Sequence, residues 1–102
     1  MAGPVDRAEA FDWVRLARSR NVGPGSFRRL LGRYGSAGAA VEALPALAAR
    51  GGRRDYVPAD PGAVGSELDA AAACGARMLR LGFAGYPAAL ARIGDAPPLL
   101  WA

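Results

Sequence analysis

Histidine and lysine are absent from the 102 residues, and cysteine occurs once, at Cys74. Without histidine there is no Ser-His-Asp or Cys-His triad and no His/Cys zinc site, and a single cysteine allows neither a Cys-x-x-Cys redox pair nor an intrachain disulfide. The chain is therefore compatible with a reducing compartment. Cys74 reads as a small buried or half-buried hydrophobe, since no imidazole exists to activate it. Aromatics are scarce as well, at 8%, and much of the 52% apolar fraction is alanine, so the core must be thin. A chain this short buries only about 60 to 70% of its unfolded surface. No run of about 18 uncharged apolar residues is present to span a membrane, and residues 1–7 lack the apolar centre of a signal peptide, which leaves a cytoplasmic protein as the expectation. Neither Gly-Lys-Ser/Thr nor G-x-G-x-x-G occurs between a strand and a helix, and Gly82-Phe83-Ala84-Gly85 is too sparse to cradle phosphates. Glu67 and Asp69, two apart on a predicted helix, do not face each other as an acid/base pair would. No metal, cofactor or catalytic residue is expected.

What the sequence does have is arginine. All 13 basic residues are arginine against nine acids, a net charge of +4 and a pI near 10.2. Arginine suits phosphate recognition, and a GC-rich genome favours its codons equally well. The charge is uneven: residues 1–54 hold ten arginines against four acids, a net of +6, whereas 55–102 hold three against five, a net of −2. An anionic partner should meet the first half.

Helical periodicity dominates that half. Asp6 caps a first helix, with Glu9 placed to reach back as in a capping box, and Ala10, Trp13, Val14 and Ala17 form its buried stripe. Arg15, Arg18 and Arg20 lie toward its other faces. Val22-Gly23-Pro24-Gly25-Ser26 forces a turn. A second helix follows, with Phe27, Leu30, Leu31 and Tyr34 at i, i+3, i+4 and i+7, and Gly35 closing it. Ser36 caps a third helix with Ala37, Ala40, Val41 and Leu44 inward; Pro45 predicts a break before a short turn through Leu47 and Ala48. Four short helical pieces thus fill the first fifty residues.

Residues 51–62 are rich in turn formers and read as a loop between two units. Asp60-Pro61 then starts a helix with Val64, Leu68, Ala71 and Ala72 inward, ended by Gly75. Met78 to Leu81 reads as a short strand, and Tyr86-Pro87 leads a helical turn carrying Leu90 and Ile93. Leu99-Leu100-Trp101-Ala102 has none of the polar or turn residues that usually close a domain. Leu79, Leu81, Leu99, Leu100 and Trp101 are accordingly expected to need burial partners from further sequence.

The most informative constellation is Asn21-Val22-Gly23-Pro24-Gly25-Ser26 and the arginine-faced helix behind it. Gly23 and Gly25 let a backbone approach a ligand, the first free N–H groups at the helix N-terminus, near Ser26, suit a phosphate oxygen, and Arg28, Arg29 and Arg33 would reach neighbouring phosphates. This is the logic of a helix-hairpin-helix element. The alternative is a tight interhelical turn with a solvated arginine face.

Taken in order, Asp12-Trp13-Val14-Arg15-Leu16, Asn21-Val22-Gly23-Pro24, Phe27-Arg28-Arg29-Leu30-Leu31, Tyr34-Gly35-Ser36 and Ala43-Leu44-Pro45 resemble the N-terminal helical domain of the bacterial DNA-processing DprA (Smf) family. Gly75-Ala76-Arg77-Met78-Leu79, Tyr86-Pro87-Ala88-Ala89-Leu90 and 93–100 resemble the stretch leading into that family's Rossmann-like domain. The resemblance implies a mainly α chain: a SAM-like, helix-hairpin-helix-like bundle over 1–75, then the incomplete opening of a Rossmann-like α/β domain over 76–102. It also implies a cytoplasmic, non-enzymatic protein that binds single-stranded DNA in natural transformation and helps load the RecA recombinase. The family's main DNA-binding and self-association surfaces belong to the Rossmann-like domain, so here Gly23, Gly25, Ser26, Arg28, Arg29 and Arg33 rest on charge and backbone chemistry alone. The other function class is a helical protein-interaction module without direct DNA contact.

Overall fold

A computed structural model describes residues 5–102; residues 1–4, and with them most of the stretch read for a signal peptide, lie outside the described residues. Asp6 opens the first helix, α1 (Arg7–Arg18), by accepting the Glu9 N–H on Oδ1 at 2.9 Å. The reciprocal half of the capping box is replaced. Glu9 Oε2 accepts instead from Arg80 Nη1 at 3.0 Å, because a buried guanidinium needs a carboxylate more than a water-exposed amide does. Ala10, Trp13 and Val14 are buried as the spacing predicts, but Leu16 replaces Ala17 as the fourth buried residue. The reason is position: α1 touches the next three helices and the second strand, so its apolar face must be wider than one stripe.

After α1 the chain turns through Asn21, whose φ of 68° is left-handed, a conformation asparagine tolerates. Gly23 then caps α2 (Pro24–Tyr34) with Pro24 in its first turn, and Gly35 ends it at φ 83°, its N–H donating to Leu31 O at 2.8 Å. Phe27 is buried against Trp13, the ring centroids 4.9 Å apart. Ser36 Oγ accepts the Ala39 N–H at 3.2 Å and starts α3 (Ala37–Arg50), which buries Ala37, Ala40, Val41 and Leu44. Pro45 does not break this helix, contrary to the sequence expectation, so three helices rather than four pieces fill the first fifty residues. An internal proline costs roughly 3 kcal/mol. Pro45 is exposed, however, and continuing past it keeps Leu44 buried and Leu47 and Ala48 half-buried, which offsets the lost hydrogen bond.

The 51–62 loop is fastened along its length rather than free. Tyr56 is buried and its hydroxyl donates to Arg20 O at 2.6 Å, while Ser19 Oγ accepts the Ala59 N–H at 3.0 Å and Arg15 Nε donates to Ala59 O at 2.9 Å. Asp60 Oδ2 then caps α4 (Pro61–Ala73) through the Ala63 N–H at 2.9 Å. Val64 and Leu68 are buried and Ala71 half-buried, but Ala72 and Cys74 are exposed, because α4 lies across α1 at the edge of the bundle and buries only a narrow strip.

Gly75, at φ 71°, leads to β1 (Met78–Arg80), which pairs antiparallel with β2 (Leu99–Trp101) in the register Met78↔Trp101, Leu79↔Leu100, Arg80↔Leu99. Between them lies one helical turn, α5 (Ala88–Ala91), carrying a half-buried Leu90; Ile93 just beyond it is exposed. The strand pair closes on the helices. Leu99 is buried in the same core as Trp13, Phe27 and Leu68, and Met78 and Trp101 pack against it. Arg80 is buried over the Phe83 ring, 3.8 Å from its centroid, and lies 5.0 Å from that of Trp13. Among the described residues no helix is long and apolar enough to cross a membrane.

Candidate nucleic-acid interface

The α1–α2 turn presents a helix N-terminus with no side-chain cap. Pro24 has no N–H, and the Phe27 N–H is taken by Gly23 O at 2.8 Å, which leaves the Gly25 and Ser26 amides as the orphan donors of the first turn. Gly23 has an ordinary φ of −88° and a Cβ there would meet nothing within 4 Å, so neither the backbone conformation nor packing within the chain requires glycine at this position.

The arginines behind this turn divide. Arg28 is exposed but leans away, its Nη2 donating to Gly94 O at 2.7 Å. Arg29 turns the other way, with Nη2 3.2 Å from Ser26 Oγ, and Arg33 stands over the Tyr34 ring, 5.3 Å from its centroid. Arg29, Arg33 and Ser26 line a groove of about 550 Å³ between α2, the end of α3 and the 51–56 segment. Two arginines join them that the sequence reading did not assign to the site: Arg20, whose guanidinium lies over Tyr56 at 5.4 Å, and Arg53. Leu30, Leu44 and Leu47 form the apolar wall, and no Asp or Glu lines the groove. Tyr56 is what brings the two missed arginines in. Its buried ring and its bond to Arg20 O pull the 51–56 segment onto the end of α1. Only the isolated tyrosine in a turn-rich stretch could have signalled this.

Three other arginines are held by carboxylates. Arg7 pairs with Asp69 at 2.8 Å, Arg18 with Glu67 at 2.8 Å and Arg80 with Glu9 at 3.0 Å. Glu67 also accepts the Trp101 indole N–H at 2.8 Å, and the hydrogen bond from Arg18 holds its carboxyl below the usual range despite partial burial. Glu67 and Asp69 are thus each committed to a different arginine of α1. Across α1 a smaller recess is lined by Asp6, Glu9 and Asp12. Burial pushes the Asp12 carboxyl up, more than Arg15 draws it down. Among the described residues no three carboxylate or cysteine side chains are placed to share a metal ion.

Of the six residues expected to contact DNA, the structure brings Ser26, Arg29 and Arg33 to one groove, sets Gly23 and Gly25 on the turn that opens the same helix, and turns Arg28 aside. No curated protein matches the chain. A family model described as "DprA-like N-terminal HHH domain" matches residues 7–70, from the start of α1 through most of α4. The chain belongs to the family of DprA-like N-terminal HHH domains.

Proposed function

We propose that this domain binds single-stranded DNA as the N-terminal accessory part of a DprA-like protein. The observation that carries the reading is the gathering of Arg20, Arg29, Arg33 and Arg53 around one groove that holds no carboxylate, beside an uncapped helix N-terminus. Guanidinium groups without a carboxylate partner, next to free backbone amides, fit the repeating phosphates of a polyanion. Gly23, Gly25 and Ser26 offer backbone donors at the turn, Arg29 and Arg33 reach along the strand, and Arg28 is at most a peripheral contact. In this reading the domain acts by binding, in the cytoplasm, without a cofactor. It supports RecA loading in natural transformation, while self-association and the main DNA site fall to a Rossmann-like domain. Residues 76–102 form the segment leading to that domain after the helical unit of 1–75.

The test is a titration of labelled single-stranded oligonucleotide at several salt concentrations. Log affinity should fall linearly with log salt, and Arg29→Ala with Arg33→Ala should reduce the slope by about 1.4, at roughly 0.7 for each phosphate no longer neutralised. Binding that persists unchanged in salt, or that the double substitution leaves untouched, would favour the helical protein-interaction module instead.

A further inference from the structure

We infer that the groove is a seat for one unstacked nucleotide base, held against Leu30 and Leu47 while the surrounding arginines take the flanking phosphates. The inference rests on the DNA-binding reading and adds what that reading lacks, a physical reason for preferring single strands. Backbone amides and guanidinium groups recognise phosphates, and phosphates are present in duplex and single strand alike. An apolar wall between cations is different. It rewards only a strand whose bases are free to leave the stack.

Three features support a base rather than phosphate alone. The groove, at about 550 Å³, has the size of sites that enclose small organic ligands, about 300 to 1,000 Å³, whereas a lone phosphate needs only a few donors on a surface. Its wall is aliphatic, from Leu30 and Leu47 on the two helices with Leu44 beneath, so part of it is desolvated at no polar cost by a flat heterocycle. Its rim is made of four arginines with no carboxylate partner among the described residues, and a guanidinium plane offers a stacking surface as well as a charge. Charge complementarity therefore selects an anionic occupant, and the leucines select one with an exposed apolar face. A single-stranded nucleic acid supplies both within one repeat unit.

The experiment compares two single-stranded oligonucleotides of equal length, one with bases and one abasic, each titrated against the whole chain across a salt series. Both carry the same phosphates, so both should show the same salt slope, but the abasic strand should bind about fivefold or more weakly at every salt concentration. Leu47→Ser should lower the affinity for the base-bearing strand to that of the abasic strand and leave abasic binding unchanged. Abasic binding doubles as the check that the variant is folded, and the wild-type comparison decides even if it is not. A 2-aminopurine placed mid-strand should brighten on binding as it leaves its neighbours. Equal affinity for the two strands would overturn the base seat and leave the DNA-binding reading standing. Binding of neither strand would overturn both, and if an acidic amphipathic helical peptide then bound, the groove would be assigned to a protein partner.

Discussion

Arginine does opposite work on two sides of this small domain. Toward α4 and the strand pair, Arg7, Arg18 and Arg80 each find a carboxylate within 3.0 Å, and Arg80 is buried among aromatic rings. Around the groove, Arg20, Arg29, Arg33 and Arg53 are exposed and have no carboxylate to face. The first group joins the strand pair and α4 to α1 through charges that cancel. The second sets four positive charges around one groove whose lining holds no carboxylate to neutralise them, and it is this local imbalance, more than the net charge of the chain, that marks a surface for an anionic partner.

Replacing a residue from each group should separate the two roles. Arg80→Ala should have the largest effect on folding, about 2 kcal/mol by urea denaturation, because it removes a buried stem, its packing on the Phe83 and Trp13 rings and the pair to Glu9. Oligonucleotide affinity per folded molecule should be unaltered. The reverse pattern is expected of Arg29→Ala with Arg33→Ala: a shallower salt slope, with stability inside about 0.5 kcal/mol of the parent.

A gentler way to break the comparison is pH. The Arg18 hydrogen bond lowers the Glu67 pKa in the folded chain below the ordinary 4.5, so the unfolded chain takes up this proton first and Glu67 contributes stability above that pH. The contribution is lost as pH falls through the folded value. Glu67→Gln should flatten this acid-side decline in melting temperature. Asp12 acts with the opposite sign: burial raises its pKa, its ionisation opposes folding at neutral pH, and Asp12→Asn should raise the melting temperature slightly near pH 7. The smallest effect belongs to Arg28→Ala, whose guanidinium is already engaged with Gly94 O; the salt slope should stay within measurement error of the parent, in contrast to Arg29.

The helices were readable because local signals agreed. Asp6, Ser36 and Asp60 cap where their spacing to the apolar stripes places them, and Gly35 adopts the left-handed closing conformation its position after Tyr34 requires. Pro45 misled because local propensity was outweighed by continued burial of one helix face. Glu9 misled because its partner, Arg80, is 71 residues away, a distance no local rule spans. The site was half legible for the same reason. Arg29 and Arg33 share a helix face and follow from periodicity, whereas Arg20 and Arg53 come together through the hydrogen bond from Tyr56 to Arg20 O and the packing of its ring. Arg28 is next to Arg29 in sequence but points about 100° away around α2, and on that other face the 94 segment folds back to meet it.

The two groups of arginines can be watched at once. Arginine side-chain Nε–H resonances, followed by NMR while single-stranded oligonucleotide is added to the whole chain at low salt, report each guanidinium separately. Arg20, Arg29, Arg33 and Arg53 should shift together and saturate at one affinity, while Arg18 and Arg80 stay in place, held by Glu67 and Glu9. Shifts spread evenly over all the arginines, or larger at Arg18 and Arg80 than around the groove, would contradict the assignment of the groove as the DNA-binding surface.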